Sequence, residues 1–155
     1  MPEFISITQY HANLKSGATT CLDTVNYYLQ QIEAKQQLNA FVEVYRDEAV
    51  ERAKILDVSP VKGKLHGVVM AIKDVLCHKD HRISAASKIL ENFTSVFSAT
   101  AVQRCIDEGA IIIGRVNCDE FAMGSTNENS CYGKVLNAAD ESRISGGSSG
   151  GSAVA

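Results

Sequence analysis

The chain has 155 residues, of which 45% are apolar and 21% are charged. This composition is typical of a globular protein with enough length for one core, and it excludes intrinsic disorder, which needs low hydrophobicity and high net charge. The formal net charge of -3 offers no basic surface on which the chain by itself would hold nucleic acid.

Helical periodicity predicts three helices in the first part of the chain. Residues 38–45 lie between the second and the third and are rich in β-formers, so they predict an extended segment. The predicted helices are residues 4–15, with Ile5, Tyr10 and Leu14 on the apolar face; a longer amphipathic helix with Thr19 as its N-cap; and the charged segment 47–56.

Two short apolar runs in the second part of the chain predict buried strands. Val68 to Ile72 lies between Gly67 and Lys73 and suits a strand buried on both faces, and residues 110–114 form the second run. A helix precedes the second run, and this order predicts an α/β fold. The helix that precedes the second run is expected from Ser98, its cap, to Glu108, with Gly109 as its stop. One helical turn is expected at 119–123, followed by a polar loop.

Lys73 is expected at the end of the first buried strand. A lysine in this position is compatible with a side chain that reaches solvent. The functional alternative is a desolvated lysine, which loses its proton more easily and acts as a base. The carboxylate of Asp74 would oppose deprotonation if the two side chains met, whereas alternation along a strand would send them to opposite faces.

Residues 145–152 consist of glycine and serine and lead directly into the apolar run 153–155. A flexible linker would not continue into such a run. The segment also lacks the lysine of a Walker loop and the spacing of a dinucleotide fingerprint. The remaining interpretation is a loop at the start of a helix, where small residues allow a substrate to approach and backbone N–H groups meet developing negative charge.

These motifs resemble those of the amidase-signature family. Gly146 to Ala153 is similar to its glycine/serine signature, and Lys73 is similar to its catalytic lysine. Segments 87–93 and 117–130 are similar to one group in that family, the A subunits of glutamyl-tRNA(Gln) amidotransferase. The resemblance spans about residues 20 to 155 and implies an α/β fold with a mixed sheet covered by helices on both faces. Residues 80–85 and 138–139 and Ser145 depart from the usual family pattern, which affects the expected shape of these loops.

The resemblance implies a Ser–cis-Ser–Lys triad. Neutral Lys73 would take a proton from Ser148, and Ser148 would take one from a nucleophilic serine that attacks the amide of glutamine. In the family that nucleophile lies in a second motif, beyond the point where this chain ends. Residues 1–155 are therefore expected to be the N-terminal part of a single amidase-signature domain, truncated before the nucleophile and inactive alone. Further expected site residues are Gly146, Gly147, Ser149 and Gly150 around the oxyanion, and Met123 and Gly124 at the glutamine pocket, with Met123 in the core as the alternative.

The function implied by the resemblance is that of a glutaminase subunit in a cytoplasmic tRNA-dependent amidotransferase. It would release ammonia for conversion of Glu-tRNA(Gln) to Gln-tRNA(Gln), with B and C subunits as partners and the tRNA held mainly by a partner. The complex would use ATP and Mg, and this chain would bind no cofactor. The alternatives are a stand-alone amidase of the same family and a catalytically inactive piece with a structural role.

No metal, membrane or secretory function is expected from the sequence. His78 and His81 are conceivable as a metal pair, but no third ligand is identified for them. The five cysteines form no Cys-x-x-Cys pair, which favours reduced thiols in the cytoplasm. The N-terminus has neither a basic region nor a long apolar run, so no signal peptide is predicted. No segment reaches the roughly 18 apolar residues of a membrane span.

Overall fold

The computed structural model describes residues 6–61 and 63–155. A three-stranded sheet lies between helices, and a separate two-stranded hairpin follows it in the chain. The elements are α1 (Ile7–Ser16), α2 (Cys21–Ala34), β1 (Phe41–Val44), α3 (Arg46–Val58), β2 (Val69–Lys73), α4 (Thr100–Asp107), β3 (Ile111–Val116), β4 (Leu136–Asn137), β5 (Asp140–Ile144) and α5 (Gly150–Val154).

Strand β3 is the middle strand of the sheet. It pairs with β1 in antiparallel and with β2 in parallel orientation, so the sheet is mixed, as expected. Every residue of β3 is buried, but in β2 only Ile72 is fully buried. Val69 and Ala71 pack on the cluster of one face, and Met70 and Ile72 on that of the other, so the predicted cover on both faces is present but the burial is partial. It is partial because β2 has a neighbouring strand on one side alone in the described residues.

Two apolar clusters cover the two faces of the sheet. On one face Ile111 and Ile113 pack against α2 and α3, and on the other Ile112 packs with Val102 of α4. Burial of each such side chain contributes about 1.5–3 kcal/mol, so both helical layers stabilise the sheet. The expected α/β fold, with a mixed sheet between helices, is confirmed.

The starts of α2, α3 and α4 differ by one or two residues from those predicted, and α1 begins at Ile7, three residues after its predicted start. Thr20, one residue after the predicted cap, accepts a hydrogen bond from the N–H of Asp23 at 3.0 Å, and Asp23 accepts one from the N–H of Thr20 at 3.2 Å. This reciprocal capping box starts α2. In α1, Tyr10 is buried and Leu14 packs on the core, whereas Ile5 lies outside the described residues.

Ser98 does not cap α4. Its hydroxyl accepts a hydrogen bond from the N–H of Lys79 at 3.1 Å, and Ala99 precedes the helix without a side-chain cap. Residues 136–144 form the hairpin of β4 and β5 inside the segment where a polar loop was expected, whereas residues 124–135 contain no helix or strand. All of β5 is exposed, so no buried face gave it an apolar alternation. In residues 6–61 and 63–155, no helix has the length and apolar character of a membrane span.

Candidate active site

Lys73 is the last residue of β2, and its side chain reaches the glycine/serine loop. Its Nζ donates hydrogen bonds to Ser148 Oγ at 2.8 Å and to Ser149 Oγ at 2.7 Å. Side chains alternate along the strand, so Lys73 leaves β2 on the side of Val69 and Ala71. The structure thus joins two predicted site residues that are 75 positions apart.

The glycine/serine loop ends where α5 begins, as the sequence predicted. Ser149 precedes the helix, Gly150 is its first residue, and the peptide between Gly147 and Ser148 is cis. Gly146 has a left-handed backbone with φ of 79° in open space, which suits glycine. The loop therefore presents two hydroxyl groups to Lys73 on a backbone that larger residues would not follow.

Asp74 is the residue after β2, is fully buried and lies on the side of Arg115. Its carboxylate accepts hydrogen bonds from Ser84 N at 3.0 Å, from Ser84 Oγ at 2.6 Å and from Ala86 N at 2.8 Å. It also pairs with the guanidinium of Arg115, which reaches Glu43 at 3.1 Å. Of the two arrangements considered for Asp74, separation from Lys73 is therefore the correct one.

Asp74 stabilises the positive charge of the buried Arg115 side chain. Burial by itself would lower its pKa, but the charge of Asp74 and its hydrogen bond raise the pKa above the ordinary value. Arg115 was not predicted as a site residue, although one signal was available. A cation inside the apolar run 111–116 requires a buried carboxylate partner.

Cys118 lies in the same region but is not a candidate nucleophile. Burial, helped by the charge of Asp74, raises the pKa of its thiol to about 11, although Lys73 acts in the opposite direction. The thiol therefore stays protonated near neutral pH, whereas a thiolate is the reactive form.

Met123 and Gly124 follow the turn Glu120–Ala122. Met123 is 78% exposed, so the alternative that it packs in the core is wrong. The predicted helical turn is a 3-10 turn with a left-handed backbone at Phe121 and Ala122. The next residue, Ser125, is joined to the glycine/serine loop, because its carbonyl accepts a hydrogen bond from the N–H of Gly147 at 2.8 Å.

His78 and His81 form a stacked pair with ring centroids 3.9 Å apart and planes 10° apart. Both ring nitrogens of His81 have hydrogen-bond partners, the carboxylate of Glu48 at 2.9 Å and the carbonyl of Lys79 at 2.8 Å. Across the part of the chain that the structure describes, no group of three or more His, Cys, Asp or Glu residues is arranged to hold a metal ion.

Similarity to known proteins was found at the level of family, sequence and fold. The family model described as Amidase matches residues 23–155. The glutamyl-tRNA(Gln) amidotransferase A subunit of Chlorobium chlorochromatii is 48% identical over 154 residues, which is 97% of this chain and 32% of that protein. The chain thus spans about a third of the length of the relatives that it matches.

Solved structures share the fold. One, from a vestigial protein complex that reveals the evolutionary origins of an s-triazine catabolic enzyme, has a TM-score of 0.91 and 34% identity over 97% of this chain and 34% of that chain. The glutamyl-tRNA(Gln) amidotransferase A subunit of Thermotoga maritima has a TM-score of 0.72 and 37% identity over 86% of this chain and 30% of that one.

Proposed function

The chain belongs to the amidase family, and on this premise we propose that it is the N-terminal part of the glutaminase subunit of a tRNA-dependent amidotransferase. The observation that carries the proposal is the hydrogen bond of 2.8 Å between Lys73 Nζ and Ser148 Oγ. The identity of 48% to an amidotransferase A subunit supports this choice within the family.

In the proposed reaction, Lys73 and Ser148 move a proton. Lys73 acts as a neutral amine and accepts the proton of Ser148, while Ser148 accepts the proton of the nucleophilic serine. The serine oxygen bonds to the amide carbon of glutamine, the C–N bond breaks, and the nitrogen leaves as ammonia with the relayed proton. Water then hydrolyses the acyl-enzyme to glutamate. The nucleophile belongs to the second motif of the family, and no serine of this chain matches that motif.

The glycine/serine loop would stabilise the charge that forms on the amide oxygen. We assign this role to backbone N–H groups among Gly146, Ser149 and Gly150, since fixed donors at a developing oxyanion lower the barrier without rearrangement. Gly147, the fourth residue expected here, donates its N–H to the carbonyl of Ser125 instead. Met123 and Gly124 would border the glutamine.

We further propose that the protein works in a cytoplasmic complex with B and C subunits. The complex would use ATP and Mg, and Glu-tRNA(Gln) would bind mainly through a partner. The net charge of -3 agrees with this division, because the phosphate backbone of tRNA favours positively charged partners. Copurification with two partner subunits tests this part of the proposal.

A stand-alone amidase is the second candidate. It is favoured by the TM-score of 0.89 to a solved structure described as an amidase, which is 34% identical over 97% of this chain. A protein that hydrolyses simple amides, purifies alone and shows no stimulation by Glu-tRNA(Gln) would support this candidate over the first.

Substitution of the two relay residues tests the catalytic proposal. In the full-length protein, Lys73→Ala and Ser148→Ala should each lower ammonia release from glutamine by about 10³-fold or more, since each breaks the relay. The melting temperature should stay close to that of the unaltered protein. Lys54→Ala, at an exposed position of α3, is the control and should leave the rate unchanged.

The 155-residue chain by itself should release no ammonia, because the nucleophile is missing. Detectable Lys73-dependent release by this chain, or an unchanged rate in Ser148→Ala, would contradict the assignment of the triad.

A further inference from the structure

We propose that Asp119 is a positioning residue that fixes Ser148 for proton transfer, an inference that rests on the proposed function of Lys73 and Ser148. Asp119 follows β3 and is fully buried. It touches both the loop that carries Ser148 and the loop that follows Met123. Asp119 therefore lies between two segments of the candidate site.

The carboxylate of Asp119 is held by backbone donors. Its Oδ2 accepts a hydrogen bond from the N–H of Asn127 at 3.0 Å, and its Oδ1 accepts one from the N–H of Asn129 at 3.2 Å. None of the ion pairs within residues 6–61 and 63–155 includes Asp119. These two hydrogen bonds join the buried carboxylate to the backbone of residues 127–129, so Asp119 holds this loop in one position.

The backbone of Asp119 is joined to Ser148 itself. The N–H of Asp119 donates to the carbonyl of Ser148 at 3.0 Å. The preceding residue is also fixed, because Gly147 N donates to the carbonyl of Ser125 at 2.8 Å, in the loop that the carboxylate holds. The peptide between Gly147 and Ser148 is therefore attached to Asp119 on one side and to the Asp119-bound loop on the other.

Close packing makes this attachment stiff. A Cβ at Gly147 would lie 2.2 Å from Oδ2 of Asp119, and a Cβ at Gly124 would lie 2.3 Å from its Cγ. The carboxylate therefore fills the space that two side chains would occupy, and the backbone of Gly147 rests directly on it. Any shift of this carboxylate must move the backbone that carries Ser148.

The proposed relay depends on such precision. Ser148 Oγ lies 2.8 Å from Lys73 Nζ, and a displacement of about 1 Å at a reacting group costs on the order of 100-fold in rate. Asp119 makes no hydrogen bond to Lys73 or to either hydroxyl among the contacts of the described residues. Its role is to position the loop and not to transfer the proton.

The main test replaces Asp119 with asparagine in the full-length protein. The amide keeps the size but turns one acceptor into an NH₂ group, which then faces the N–H of Asn127 or Asn129. We expect kcat for ammonia release to fall about tenfold to 100-fold, while KM for glutamine changes less than about threefold. Asp119→Glu should not restore kcat, because Gly147 leaves no room for a longer side chain.

Asp57→Asn is the matched control. Asp57 also accepts two backbone N–H groups, those of Cys21 at 2.7 Å and Leu22 at 3.1 Å, at the start of α2 and away from the candidate site. Asp57 is exposed, so this substitution reports the cost of changing a carboxylate that accepts two backbone N–H groups, without the burial that distinguishes Asp119. It should lower the melting temperature and leave kcat unchanged.

A kcat of Asp119→Asn within about twofold of the unaltered protein, with Lys73→Ala inactive, would overturn this inference and leave the proposed function intact. If Lys73→Ala stays active, the proposed function itself fails.

A second measurement needs no activity: hydrogen exchange at the amides of Asn127, Asn129 and Gly147 should be at least about tenfold faster in Asp119→Asn, and not in Asp57→Asn. Unchanged exchange would overturn the inference. If Asp119→Asn does not fold, Asp119→Ser, which fits the space with a single acceptor, should show the same loss of kcat, and a normal kcat would overturn the inference.

Discussion

At the scale of single residues, the site depends on two neighbours that point in opposite directions. Strand alternation explains why Lys73 meets Ser148 while Asp74 is buried on the other face. The sequence contained that alternation, and the resemblance supplied the contact to Ser148. The sequence did not predict that Arg115 is the partner of Asp74, because the two residues meet only through the pairing of β2 with β3.

Removal of the Asp74 carboxylate should strongly destabilise the fold. Asp74→Ala leaves the guanidinium of Arg115 and the donors of Ser84 and Ala86 buried without this acceptor, which costs about 3–5 kcal/mol. Urea denaturation measures the change in the free energy of unfolding. In the control, Glu33→Ala removes an exposed pair with Arg46 and costs about 0.2–1 kcal/mol. Equal losses in the two variants would contradict this account.

Buried His66 and half-buried His78 should make stability depend on pH. Burial, followed by the charge of His81, lowers the pKa of His78 below its ordinary value of 6.5, and burial lowers that of His66 as well. The unfolded chain thus binds more protons below about pH 6.5, so this stability is complete above that pH and is lost as the pH falls toward the folded-state values.

Unfolding free energies measured between about pH 7 and about pH 5 check this expectation. His78→Phe keeps a ring against His81 but cannot titrate, so it should reduce the slope, and His66 should maintain the remainder. A slope identical to that of the unaltered chain would contradict the role of His78.

At the scale of elements, periodicity located the helices and strands but not their ends. The hydroxyl of Thr20 caps α2 where Thr19 was expected, and Ser98 bonds to Lys79 instead of capping α4. The two differences have separate reasons. The reciprocal capping box with Asp23 selects Thr20 over Thr19, whereas a tertiary contact to the N–H of Lys79 occupies the hydroxyl of Ser98. The hairpin of β4 and β5 escaped prediction because its exposed residues carry no apolar pattern.

The capping difference can be measured with two isosteric substitutions. Thr20→Val removes the hydroxyl that accepts from Asp23 at 3.0 Å and should cost about 1 kcal/mol of stability. Thr19→Val removes a hydroxyl whose contact, to the carbonyl of Thr20, is 3.5 Å long, and should cost less. Chemical denaturation compares the two, and a larger loss at Thr19 would show that the cap is assigned to the wrong residue.

At the scale of the whole molecule, the two helical layers leave part of the sheet uncovered. A groove of about 780 Å³ runs between α2, β1 and the edge of β2, and its apolar lining includes Tyr28, Phe41 and Val69. The α/β layering was predictable from the order of apolar runs. The groove was not, because it depends on the distance between elements and not on their identity.

The groove should make the isolated chain associate. Apolar patches of this kind on a sheet face with open edges promote contact between copies. We expect sedimentation velocity to show oligomers that grow with concentration, and Tyr28→Glu in the groove to reduce them. Val58→Glu, at an 86% exposed position outside the groove, is the control and should have a smaller effect. A monodisperse monomer that melts cooperatively would count against this expectation.

The register shift in β3 limits where related chains can gain or lose residues. Met70 pairs with Ile112 and Ala71 with Gly114, so β3 contributes one extra residue there, and beyond it Arg115 turns to the face of Asp74. A deletion of one residue in β3 would turn the guanidinium of Arg115 to the other face of the sheet, away from the carboxylate of Asp74. The exposed turn between β4 and β5 has no such constraint. Natural insertions and deletions in related chains should therefore cluster near residues 137–140 and be excluded from residues 111–116.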